Sequence, residues 1–215
     1  MTDVTEVNEA SDSIDRLNAL TDGVIAIALT LLVLAIEIPS IPEGASNPEQ
    51  TLITGLIAPV PQIEAYVLSF VVIGFFWKQH HGIFRGIRGH DHRLLVLNLA
   101  LLLVVSFLPF LSALLGEYPD IRLNTLLFLA SMSLASLLQW AMWHRARKLS
   151  MLIHPLDHPD VDYVHQRVVG WTICFAVMTL VAVVYPEIAR RTYLLIVIQP
   201  AVFNLLKLRR GTSPR

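Results

Sequence analysis

Residues 16–39 read RLNALTDGVIAIALTLLVLAIEIP, a helix-length apolar run with a carboxylate, Asp22, set among side chains that otherwise belong in lipid. An ionisable group at bilayer depth is expensive and is kept facing protein or water, where it serves a pathway or locks a packing arrangement. The feature therefore predicts a chain that crosses a membrane and whose first crossing does more than anchor it. Composition agrees, because 54% of the 215 residues are hydrophobic and only 15% charged, too apolar a balance for a soluble domain of this size.

A spanning helix needs about 20 mostly apolar residues. Six stretches qualify, at residues 17–38, 60–77, 94–115, 123–143, 168–185 and 193–208, the last two being short. None shows the strict alternation of a barrel strand, so the expected fold is all-α, a polytopic membrane protein with six transmembrane helices. The first run starts too deep in the chain for a secretory signal and is followed by no small-residue cleavage site, so it reads as a retained helix. Cys174 is the single cysteine, which excludes an intrachain disulfide and a thiolate metal cluster. No basic tract interleaved with aromatics is present, so nucleic acid is not an expected partner.

The connections set the orientation. Lys78, Arg85, Arg88 and Arg93 follow the second span, and Arg145, Arg147, Lys148 and Arg167 follow the fourth. Lys207, Arg209, Arg210 and Arg215 end the chain, and Arg16 precedes the first span. Only Arg122, Arg190 and Arg191 remain for the other face, so both termini are expected in the cytoplasm and the protein in the cell membrane. Residues 1–13 are polar, acidic and aperiodic and read as a disordered tail. Residues 14–210 then form the transmembrane domain, and 211–215 a short tail. Residues 39–62 hold five prolines and two glycines, an external loop that cannot be one continuous helix. No internal repeat is evident, which weighs against an inverted-repeat transporter.

On a wheel of 3.6 residues per turn, Leu20, Gly23, Ile27, Leu31, Leu34 and Ile38 fall in one stripe with Thr30 on its edge, while Asp22 points roughly the opposite way. Such spacing is what any packed helix shows. If Asp22 faces helices of its own subunit, however, the aliphatic stripe is free to meet something else, and rings of Ile and Leu about an axis make a constriction that gates by dewetting. One helix per subunit cannot enclose a pore, so that reading needs a symmetric oligomer.

The run Leu20-Thr21-Asp22-Gly23-Val24, then Ala26-Ile27, Thr30-Leu31 and Pro39, resembles the signature of bacterial homologues of transmembrane protein 175, a potassium channel family whose animal members sit in endosomes and lysosomes. Ser69-Phe70, Trp77, His80-His81, Phe84, Asp91, Asn98-Leu99, Leu102 and Ser106 through Pro109-Phe110 match the family's second motif in order and spacing. The likeness covers the first three spans; beyond them it rests on hydropathy. The family hallmark is Phe-Ser-Asp; here Leu20 lacks the ring, while Thr21 keeps the hydroxyl and Asp22 the carboxylate. The resemblance implies a potassium-preferring cation channel in which the first helix of each of four subunits lines a central pore of a homotetramer. Two-repeat members pair as dimers instead. It further implies a narrow hydrophobic stretch at Ile27, Leu31 and Leu34 and a cation-preference role for Thr30. The chain has no Thr-Val-Gly-Tyr-Gly filter, so selectivity is expected to be softer than carbonyl coordination provides.

Arg16, Thr21, Asp22, Trp77, His80, His81 and Asn98 are the polar groups of the first three spans. They are expected to form a hydrogen-bonded network fixing the first helix against the next two. The competing reading uses Asp22 and the His80/His81 pair as a proton relay of a secondary transporter, since imidazoles titrate near neutrality. Glu37, close to the stripe at its outer end, is a candidate anionic group at the pore mouth, with simple solvation as the alternative. The histidines at 80, 81, 90 and 92 with Asp91, and the looser group His154, Asp157, His158, Asp160 and His165, lack tight metal-ligand spacing. Solvated loop histidines are therefore expected, with no metal or other cofactor beyond permeant potassium. Trp140 and Trp143, followed by Arg145 and Arg147, read as an interfacial belt, and the small residues between 130 and 136 as a close helix contact.

Overall fold

The computed structural model describes the backbone of residues 2–185 and the side chains of residues 14–185. Its six α-helices are α1 (Thr2–Leu31), α2 (Pro48–Ile57), α3 (Val60–Phe84), α4 (His92–Glu117), α5 (Arg122–Lys148) and α6 (Pro159–Val184), with a 3-10 turn at Leu32–Ala35. Five are long and apolar enough to span a bilayer: Ile14–Ala35, Val60–Phe84, His92–Glu117, Arg122–Lys148 and Pro159–Val184. These are the first five spans read from the sequence, and the chain is a multi-pass membrane protein. The sixth expected span, residues 193–208, and the tail 211–215 lie outside the described residues.

The helices overrun the apolar stretches. Helix α3 continues past Trp77 to Phe84, and α6 starts at Pro159 instead of Val168. Hydropathy ends where side chains meet water, whereas the backbone ladder continues until a cap or proline stops it. Capping explains the starts: the Asp91 carboxylate accepts from the Leu94 N–H at 3.0 Å, and Asn47 Oδ1 from the Gln50 N–H at 3.1 Å. Pro48 and Pro159 occupy first-turn positions, where the missing N–H costs nothing. Helix α1 likewise runs back through residues 2–13, where the polar, acidic composition predicts a disordered tail. Extending an existing helix costs far less than nucleating one, and that segment contains neither Gly nor Pro to stop it.

Helix α4 is central, contacting α1, α3 and α5, while α6 packs mainly on the far side of α5. The core runs through Val72, Ile73 and Phe76 of α3, Val105 of α4, Met132 of α5 and Phe175 of α6. Phe76 and Phe175 stack with centroids 5.5 Å apart. Small residues permit the tight crossings. A Cβ on Gly116 would lie 2.8 Å from the Gln62 Cα, so only glycine lets the end of α4 meet the start of α3 this closely. The small-residue face of α5 packs on α6 as expected, with Ser133 bonded to Thr179 at 2.8 Å and Ser136 to Thr172 at 3.1 Å.

The bundle has two distinct ends. At one, the α3–α4 and α5–α6 connections are joined by an Ile87–Leu152 bridge, with Arg88 N–H donating to the Met151 carbonyl at 2.9 Å. At the other, Gln62 accepts from the Glu37 N–H at 2.9 Å and donates to Glu117 Oε2 at 3.0 Å, tying the exit of α1 to α3 and α4. Trp143 departs from the expected interfacial belt: it is 1% exposed and packs against Gly86. The α3–α4 connection folds back over it, and hydropathy carries no information about that.

Candidate functional site

Helix α1 presents two faces with different fates. Ile14, Leu17, Thr21, Ile25, Ala28 and, in the turn that follows, Leu32 are buried against α3 and α4 at spacings of three and four. The stripe of Leu20, Gly23, Ile27, Leu31 and Leu34 is exposed in the single chain, Ile27 at 60% and Leu34 at 76%. Asp22 lies on the other flank of the buried face, about 150° from the stripe on an ideal wheel. The stripe is α-helical only through Leu31. The 3-10 turn over Leu32–Ala35 tightens the winding, so Leu34 sits in that turn, and the backbone is extended by Ile36. Ile38, expected on the same wheel, is therefore outside the helix. It precedes Pro39, whose ring disfavours helical backbone at the preceding residue.

The buried face carries a directed chain of hydrogen bonds. Thr21, fully buried, donates its hydroxyl to the Leu17 carbonyl at 3.0 Å and accepts from Asn98 Nδ2 at 3.0 Å. With Asn98 Nδ2 donating, Asn98 Oδ1 is left as the acceptor for His80 Nε2 at 2.8 Å. His80 stacks on Phe84 at 4.3 Å. The chain thus links α1, α4 and α3 and leaves the proton of a neutral His80 on Nε2.

A second, exposed contact lies beside it. Trp77 Nε1 donates to Asp22 Oδ1 at 2.8 Å, and the Trp77 ring stacks on His81 at 5.9 Å. The expected network of seven residues is therefore two separate assemblies, one buried and one facing out. Arg16 joins neither; it is exposed and has no hydrogen bond among the described residues.

Thr30 is exposed and returns its hydroxyl proton to the Ile27 carbonyl at 2.8 Å, leaving its lone pairs directed away from the helix. Glu37 follows the 3-10 turn and, with Gln50, Thr54 and Gln62, lines a shallow cavity of about 660 Å³ at the end of the bundle where α1 exits. The Ser69 hydroxyl donates to Ser112 Oγ at 2.8 Å, which donates to the Ala65 carbonyl at 3.1 Å, so the second motif also contributes a buried α3–α4 link.

Two features escaped the sequence reading. Asp91, the N-cap of α4, pairs bidentately with Arg145 of α5, with the guanidinium Nε 2.9 Å from each carboxylate oxygen. The Arg145 hydrogen bonds, helped by the Leu94 N–H, hold the Asp91 carboxyl well below the usual carboxylate range. An acid just before an apolar run signals a cap, but no pattern announces a partner 54 positions away. Buried Gln139 donates to the Phe76 carbonyl at 2.8 Å and Gln79 is equally buried; an amide inside an apolar span is the signal that could have found both. Among the described residues, His80, His81, His90 and His92 bring no three metal ligands together.

Comparison with known proteins places this arrangement. The family model described as endosomal/lysosomal potassium channel TMEM175 matches residues 16–109, the stretch holding both motifs. A potassium channel of Streptomyces collinus is 37% identical over 151 residues, covering 67% of this chain and 70% of that one. A potassium channel of Chamaesiphon minutus is 33% identical over 170 residues, covering 76% and 81%. The crystal structure of a lysosomal potassium-selective channel TMEM175 homologue from Chamaesiphon minutus superposes with a TM-score of 0.75 at 26% identity, over 89% of this chain and 97% of that one. By its shared motifs, its helical arrangement and its match along most of these relatives' length, the chain belongs to the TMEM175 channel family.

Proposed function

We propose that this chain is a potassium-preferring cation channel of four subunits, with α1 of each copy lining a central pore. The observation that carries the reading is the exposed aliphatic stripe of α1 opposite a face hydrogen-bonded into the subunit. A helix so anchored holds Ile27, Leu31 and Leu34 toward an axis, where a ring of aliphatic side chains narrows and dewets a pore. Thr30, on the edge of the stripe, offers hydroxyl oxygens to a passing cation. Glu37 at the wider outer end raises the local cation concentration. Conduction is passive, and the pore opens by widening or rotating α1, with no covalent chemistry.

The proton-coupled alternative draws less support. The Thr21–Asn98–His80 chain ends on the Leu17 backbone carbonyl, which is a poor proton acceptor, and so suits an anchor better than a relay. The end of the bundle holding the α3–α4 and α5–α6 connections is the basic one, which supports placing it and the N-terminus in the cytoplasm, with the channel in the cell membrane.

The test is reconstitution into liposomes with opposed potassium and sodium gradients, comparing the wild type with Ile27→Asn. Wild type should pass potassium ahead of sodium, and a polar ring at Ile27 should raise the flux or erode the preference. If neither protein passes cations, the channel reading is lost; if only Ile27→Asn is silent in its effect, the pore-lining assignment is.

A further inference from the structure

We propose that the α5–α6 connection carries a binding site for a divalent transition metal of the zinc, cobalt or nickel class, formed by His154, His158 and Asp160. The three side chains each offer a ligand atom, and these atoms lie within 4.8 Å of one another. Two ligands of a tetrahedral metal bound at about 2.1 Å sit about 3.4 Å apart. His158 Nδ1 and Asp160 Oδ2 are already 3.7 Å apart. His154 stands alongside, its ring parallel to that of His158 within 12° and 4.2 Å away. Closing the trio onto an ion requires one imidazole to tilt out of this stack so that the two ring planes meet at the metal, a rotation open to His154, which is exposed at the protein surface.

The backbone beneath is held in place. The Ile153 N–H donates to the Gly86 carbonyl at 2.9 Å, Leu152 is buried, and Arg88 donates to the Ser150 carbonyl at 2.9 Å. A turn from the His158 N–H to the Pro155 carbonyl, at 3.0 Å, then brings the second imidazole back over the first. Pro155 and Pro159 limit the freedom of the unliganded loop, so little conformational entropy remains to be lost on binding.

Electrostatics and ligand chemistry suit a cation of this class. A helix N-terminus repels cations, but Asp160 and Asp162 in the first turn of α6 and Asp157 just before it offset that field. Two imidazoles with one carboxylate favour borderline metals over calcium or magnesium and leave a fourth position to water. Before metal enters, His158 Nδ1 accepts the Asp160 N–H at 3.2 Å, so its lone pair already points to the front of the helix. Coordination replaces that long hydrogen bond. The site lies on the connection bridged to the α3–α4 loop, away from the exposed stripe of α1, so it is independent of the pore assignment.

The test uses the full chain in detergent, free of any histidine tag and stripped with a chelator. Cobalt is titrated while following its visible ligand-field bands, and zinc competes in calorimetry. About one equivalent per chain should bind, with intensified bands of reduced coordination, and His154→Ala should weaken binding by at least about tenfold. His158→Asn keeps a side chain able to cap α6 while removing the imidazole, and should weaken binding similarly without altering the elution profile. His90→Ala/His92→Ala should bind as wild type does. The absence of saturable binding, or binding unchanged in His154→Ala and His158→Asn, overturns the proposal. Cation flux through the pore is a separate readout that these variants leave untouched.

Discussion

The two faces of α1 differ in where their partners come from. On the buried face, Thr21 and its apolar neighbours find everything they need within one chain: the Leu17 carbonyl, the Asn98 amide, and the packed sides of α3 and α4. On the opposite face, Ile27, Leu31 and Leu34 touch nothing that would bury them. The contrast teaches that the polar contacts of the buried face fix how α1 is rotated within the subunit, and with it the direction in which the aliphatic stripe points.

The largest effect should separate the faces at neighbouring positions. Ile25→Asn places an unpartnered amide in the core and should destabilise the subunit by about 3 kcal/mol. Ile27→Asn, two positions on, should leave the thermal midpoint nearly unchanged and alter ion flux instead. A thermal-shift assay beside liposome flux checks both, and equal destabilisation by the two would erase the distinction. Asn98→Ala comes next. It orphans Thr21 on one side and His80 on the other, and should cost about 2 kcal/mol and loosen the orientation of α1. An unshifted midpoint with wild-type flux would break the anchor reading.

The Asp91–Arg145 pair offers a pH-dependent variant of the same question at the end of the bundle. Because the folded state holds the Asp91 carboxyl below its ordinary value, the pair contributes stability that is complete above about pH 4. That contribution is lost as pH falls through the lowered value. Asp91→Asn should remove this acid dependence and, by taking away the charge, weaken the join between α4 and α5 at neutral pH. Melting curves from pH 7 downward check it. The smallest expected effect is at the mouth: Glu37→Gln should lower cation flux by about twofold at low ionic strength and hardly at all in high salt, because the attraction is screened.

Much of the fold was legible in hydropathy, because lipid demands the same thing of every span: a long apolar run with its backbone hydrogen bonds satisfied internally. The ends of those spans were less legible. Caps such as Asp91, and the extension of α3 past Trp77, involve polar residues that an apolar count treats as loop. The site divides in the same way. Thr21, His80 and Asn98 stood out as polar groups at membrane depth, and the structure joins them. Arg16 stood out for the same reason, yet joins nothing described, since a group near the end of a span can meet water instead. The split of Asp22 and Trp77 from the buried chain, the pairing of Asp91 with Arg145 and the burial of Trp143 depend on which helices are neighbours. Periodicity along a single helix does not encode that.

By itself the sequence determined that this protein lives in a membrane, which of the described segments are long and apolar enough to cross it, which end of the bundle is basic, and that the first helix carries one aliphatic face and one polar flank. Those properties follow from the composition and spacing of residues close together in the chain, which the solvent reads locally. Only the tertiary structure decided which flank of α1 is consumed inside the subunit, that Asp22 meets Trp77 apart from the buried Thr21–Asn98–His80 chain, and that Asp91 pairs with Arg145. Each of these is settled by contacts between segments far apart in sequence, and such contacts take shape only when the helices pack.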